Sequence, residues 1–115
     1  MKKLGYLKIC GQTIEVLEGD ENDCPHLQSA RGVYIPGKAQ IWLEEDQPAD
    51  RLVDTLVHES LHGLVDMSGI FDATASILGL ERDDPRMAKW EEAFIRVITP
   101  HVAALFGAPK LSKKP

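Results

Sequence analysis

Apolar and polar positions follow a two-residue period through the first third of the chain and a helical period after about residue 48. Residues 6–10 (Tyr-Leu-Lys-Ile-Cys) and 13–17 (Thr-Ile-Glu-Val-Leu) are β-prone runs around Gly11-Gln12 and predict a hairpin. Residues 18–31 are polar and carry Gly19, Asp20, Asn22, Asp23 and Pro25, so they read as a loop. Val33-Tyr34-Ile35 and Gln40-Ile41-Trp42-Leu43 flank the turn dipeptide Pro36-Gly37 and predict a second hairpin. Glu44 to Pro48 closes the strand section.

From Leu52 onward Val53, Leu56, Val57, Leu61, Leu64 and Val65 recur at steps of three and four, the spacing of a helix. Asp50 or a neighbour can cap its start, and Gly69 is a natural stop. A short helix fits residues 72–80. Asp83-Asp84-Pro85 sets an acidic cap before a proline at the first helical position, and Met87, Ala88, Glu91, Phe94, Ile95 and Ile98 follow. Pro100 kinks this helix or opens a further segment to Phe106, and Gly107 and Pro109 end it. The basic tail from residue 110 to 115 reads as frayed. Strands first and helices after define an α+β fold, with helices on one face of a small sheet.

At 115 residues this is one domain by size. Thirteen Lys and Arg against 18 Asp and Glu leave a net charge of −5, which argues against a binder of nucleic-acid phosphates. No apolar run reaches the roughly 20 residues of a membrane span, and the charged N-terminus lacks a signal-peptide core. Two cysteines cannot build a disulfide framework, so the expected setting is a reducing, cytoplasmic one.

One motif carries chemistry. His58-Glu59-Ser60-Leu61-His62 is H-E-x-x-H, and it lies within the longest run of helical periodicity. Residues four apart share a helix face about 6 Å apart along the axis, so two imidazoles can aim Nε2 at one point. Glu59 stands about 100° round the helix from His58 and about 60° from His62, beside that face. It can reach a water on a zinc ion without being a ligand, the position of a general base. Val53, Val57, Leu61 and Leu64 cluster on the adjoining side, expected to be the core side.

A catalytic zinc needs a third protein ligand. A third histidine at the spacing H-E-x-x-H-x-x-G-x-x-H is excluded, because Val65 and Ser68 occupy those positions. Glu91, 29 residues after His62, is favoured on facing alone. It falls in the middle of the apolar stripe of the last helix, where an unpaired carboxylate is costly and a metal would relieve the cost. Glu92, about 100° further round, is the alternative ligand or an acceptor for a histidine N–H. His101 and Cys24-Pro25-His26 are weaker candidates, and Asp66 could orient His62.

Helix-borne His58-Glu59-x-x-His62, followed by Glu91-Glu92 on a second helix, resembles the gluzincin metallopeptidases. In its short form, with the run Thr55-Leu56-Val57-His58-Glu59-Ser60-Leu61-His62, it is similar to the minigluzincins and to small zinc peptidases of phages and mobile elements. The resemblance spans residues 32–100. It implies a zincin-like fold, a Zn²⁺ ion held by His58, His62 and Glu91, and peptide hydrolysis with Glu59 as general base. It also implies that Gln40-Ile41-Trp42-Leu43 is an edge strand that pairs with an extended peptide substrate. The aspartate that gluzincins place four residues after the glutamate ligand is absent, since Ile95 and Arg96 follow Glu91 and Glu92 at that step. The alternatives are a non-catalytic zinc-binding adaptor, a partner-binding module on the same fold, and a metal-free protein carrying a chance motif.

Overall fold

The computed structural model describes every residue from Met1 to Pro115. Strand β1 (Lys2–Ile9) turns through Cys10 and Gly11, both at positive φ, into β2 (Gln12–Gly19). Two successive residues at positive φ match the right-handed twist of a hairpin. The turn therefore lies one residue earlier than the sequence pattern placed it. Strands β3 (Gly32–Ile35) and β4 (Gln40–Glu44) form the second hairpin around a 3₁₀ turn at Pro36–Lys38.

The four strands make one mixed sheet in the order β1-β2-β4-β3, with β2 and β4 parallel and the two outer pairings antiparallel. This overturns the edge position expected for Gln40-Ile41-Trp42-Leu43. Both sides of β4 are paired, and the edge on that side is β3. The reason lies in packing: Ile41 and Leu43 are 0% and 1% exposed and belong in the middle of the sheet.

Helices α1 (Ala49–Met67), α2 (Ile70–Leu78) and α3 (Pro85–Phe106) follow, giving an α+β fold. One sheet face presents Leu7, Ile9, Ile14, Val16, Ile41 and Leu43 to Leu56 of α1. The other is covered by Cys24, Leu27 and the ring of Trp42 rather than by a helix. The segment between β2 and β3 is thus partly a lid on the sheet, with a 3₁₀ turn at Pro25–Leu27.

Helix α1 begins at Ala49 with no side-chain cap, so Asp50 serves only as an acidic first-turn residue. Asp84 caps α3 as expected, accepting the Arg86 backbone N–H at 2.9 Å ahead of Pro85. Pro100 does not split α3: the helix continues to Phe106, and Pro100 is on its exposed side. The C-terminal tail is not frayed at its centre. Ser112 exchanges two 2.7 Å backbone hydrogen bonds with Tyr6 of β1, and Leu111 packs against the core. No helix is long and apolar enough to cross a membrane.

Candidate metal centre

The site forms where α1, α3 and β3 meet. Two glycines let β3 lie close on α1. A Cβ on Gly32 would stand 2.6 Å from the Thr55 methyl and 3.1 Å from Glu59 Cγ. One on Gly63 would meet Ile9 at 3.0 Å and the Tyr34 ring at 3.4 Å. Gln47 ties the approach of β3 to the start of α1. Its side-chain amide donates to the carbonyls of Arg31 and Glu44 at 2.9 and 2.8 Å, and its carbonyl lies 2.9 Å from the Thr55 hydroxyl.

His58 and His62 share one face of α1, with ring centroids 5.0 Å apart. Opposite them, α3 supplies adjacent glutamates in different roles. Glu92 spans both imidazoles: Oε1 lies 3.1 Å from His58 Nε2 and Oε2 lies 3.0 Å from His62 Nε2. Glu91 faces the other nitrogen of His62, with Oε2 2.6 Å from Nδ1. His58, His62 and Glu92 are the three residues whose donor atoms converge as a metal site requires.

Of the expected set, His58 and His62 converge with Glu92, whereas Glu91 meets His62 at Nδ1 and is outside that convergence. Glu91 is in line with the core stripe, between Met87 and Ile95, both 0% exposed. This half-buried carboxylate meets His62 Nδ1. In neutral His62, a proton on Nδ1 donated to Glu91 leaves an Nε2 lone pair directed at the Glu92 carboxylate. A lone pair facing a carboxylate is repulsive unless a proton or a cation lies between them. The donor set, two imidazole nitrogens and a carboxylate, suits a divalent metal. These residues could hold a metal ion.

The surroundings shift each of these groups. Burial pushes the Glu59 carboxyl up to about 7, against the positive pull of His62 and the backbone amide of Tyr34. Burial depresses His58, partly offset by Glu92. His62 is also desolvated, yet its hydrogen bond to Glu91 and the charges of Glu59, Glu91 and Glu92 together raise it. Burial would raise Glu92, but Arg96 and the two histidines hold it low.

Clefts open on both sides of the cluster. One, of ≈ 450 Å³, is walled by Val33 and Tyr34 of β3, by Phe71 and by Arg82. The other, of ≈ 810 Å³, runs past Arg31, Arg51 and Arg96. His58, Glu59 and Glu92 line both. Asp66 does not orient His62. It accepts the Tyr34 hydroxyl at 2.9 Å and lies 3.7 Å from Arg82. Arg82 also pairs with Asp72 and stacks over Phe71. Arg82 and Phe71 were not singled out in the sequence, because nothing in their local pattern signals a wall built from the start of α2 and the α2–α3 connection. His101 is exposed on α3, and Cys24 and His26 belong to the segment beneath the sheet; none of the three is in the cluster.

Compared with protein-family models, with curated proteins and with solved structures, the chain matches none of them.

Proposed function

We propose that this chain is a zinc peptidase with a zincin-like fold of gluzincin type, in which His58, His62 and Glu92 hold the metal and Glu59 is the general base. The observation that carries the reading is the Glu92 carboxylate set between two Nε2 atoms of an H-E-x-x-H helix, with a buried Glu59 beside them. When bound, zinc supplies Lewis acidity toward water and toward a carbonyl oxygen. Glu59 does the proton work. Burial raises the Glu59 carboxyl above the usual carboxylate range, which makes it a better base toward a cleft water and lets it return the proton to a departing amine. Glu91 keeps the His62 ring turned so that Nε2 faces the cluster.

The substrate fits the free side of β3. This short edge strand borders the cleft and has one row of backbone groups without a partner strand. An extended peptide adding to β3 would run past Glu59 and His58. The edge-pairing idea thus moves from β4 to β3.

The test is hydrolysis of a pool of quenched fluorescent peptides by zinc-loaded wild type and Glu59→Gln. Glu59→Gln should retain zinc and lose about 10²-fold or more in rate. Cleavage by Glu59→Gln at the wild-type rate would contradict the mechanism. Zinc bound by a wild type that cleaves no peptide would favour the non-catalytic binding module.

A further inference from the structure

A second cavity lies on the far side of α1 and shares no lining residue with the two clefts at the metal cluster. It is an open groove of ≈ 450 Å³ between the end of β1, α1 and the chain that leaves α3. Leu7, Val57, Leu61, Leu64, Val102 and Phe106 form most of its apolar wall. Leu61 and Leu64 belong to the helical stripe that the sequence assigns to the core. Here they face the groove, and Leu64 is 39% and Phe106 78% exposed. An apolar stripe left uncovered along a groove is one form that a ligand-binding groove takes.

Its charge narrows the ligand. The chain carries 18 acidic residues and a net charge of −5, yet no carboxylate lines this groove. Lys8 and Lys110 are the charged residues that do, and Lys113 and Lys114 follow in the tail. The rim is fixed in place. The segment carrying Lys110 is held at one end by α3 and at the other by the paired backbone of Tyr6 and Ser112. A hydrocarbon chain covers such a wall without demanding hydrogen bonds, and two ammonium groups then call for an anion.

We propose that this groove binds a single-chain anionic amphiphile, a long-chain carboxylate, with its tail along Leu61 and Leu64 and its head at Lys8 and Lys110. The site is independent of the metal centre, so zinc loading leaves its affinity unchanged.

The test is calorimetric titration of the full chain with laurate below its micelle concentration. We expect saturation at one laurate per chain. The double variant Lys8→Glu/Lys110→Glu, at two exposed positions, should bind at least tenfold more weakly with an unchanged far-ultraviolet circular dichroism spectrum. Leu64→Trp, which fills the groove, should bind at least tenfold more weakly too, and so should dodecanol, which keeps the chain and lacks the charge. Unsaturable uptake, or laurate affinity unchanged in the charge-reversed variant, would overturn the proposal. So would binding confined to phosphatidylglycerol vesicles, which points to a membrane surface. Self-association that laurate does not reverse would assign the groove to a second copy of the chain.

Discussion

Glu92 is set between His58 and His62, with one carboxylate oxygen 3.1 Å from the first Nε2 and the other 3.0 Å from the second. Glu91, the neighbouring residue, touches His62 only at Nδ1. Two adjacent glutamates on one helix thus meet the two histidines in different ways, which the proposed metal site reads as ligand and ligand support.

That division has a measurable consequence. Removing the support should weaken metal binding without abolishing it. Glu91→Ala is expected to lower zinc affinity about 10- to 100-fold, the usual effect of deleting the partner of a ligating histidine. Competition with a chromophoric chelator measures it. An affinity equal to wild type would show that Glu91 has no part in orienting His62.

Stability of the metal-free protein should depend on pH, and the sign can be worked out. Glu59 is raised from 4.5 to about 7 in the folded chain. The folded state therefore keeps a proton that the unfolded chain releases. The stabilisation is complete below 4.5 and is lost as pH rises through about 7. His62, also raised, contributes with the same sign, and His58, depressed, opposes it. Between pH 5.5 and 8, Glu59 alone accounts for a loss of about 2 kcal/mol, at 1.36 kcal/mol per pKa unit. Urea unfolding in the presence of a chelator checks this, and Glu59→Gln should flatten the dependence. A metal-free wild type that gains stability over this range would contradict the burial assigned to Glu59.

Gly32 holds the third relationship. A methyl group there meets the Thr55 methyl at 2.6 Å and Glu59 Cγ at 3.1 Å, so β3 must lift or Glu59 must move. Gly32→Ala should cost about 1–3 kcal/mol, the range for overpacking a tight site. The loss should be accompanied by reduced hydrolysis if Glu59 is displaced. Thermal unfolding beside peptide turnover reads both. Wild-type stability would mean that β3 and α1 leave room for a methyl group at Gly32.

Much of the fold was legible in the sequence because local pattern encodes it. The period-two runs fixed both hairpins, Asp84-Pro85 marked the start of α3, and the three- and four-residue spacing marked α1. The strand order was not legible. The parallel pairing of β2 with β4 joins segments separated by the whole β3 hairpin arm, and no local signal reports such a crossover. The burial of Ile41 and Leu43 on one face and Trp42 on the other shows why β4 is central.

The site was half legible for a related reason. The H-E-x-x-H spacing on one helix fixes His58, Glu59 and His62 together. The third ligand depends on how α3 is rotated against α1, which is set by Met87 and Ile95 in the core. Glu91 shares their line, so the helical wheel placed it correctly at the centre of the stripe. The imidazole Nε2 atoms lie at the stripe's edge, where Glu92 reaches them. A hydrogen bond to His62 satisfies the half-buried Glu91 as well as a metal would, and a wheel cannot tell the two apart.

The proposed metal site is one ion held by His58, His62 and Glu92. Elemental mass spectrometry of the purified protein, beside His58→Ala, Glu92→Ala and Glu91→Ala, tests it most directly. The expected result is one zinc per chain in wild type, none in His58→Ala or Glu92→Ala, and zinc retained at saturating metal in Glu91→Ala. Zinc kept by Glu92→Ala and lost from Glu91→Ala, or no metal taken up by the wild type at all, would contradict a His58, His62 and Glu92 site.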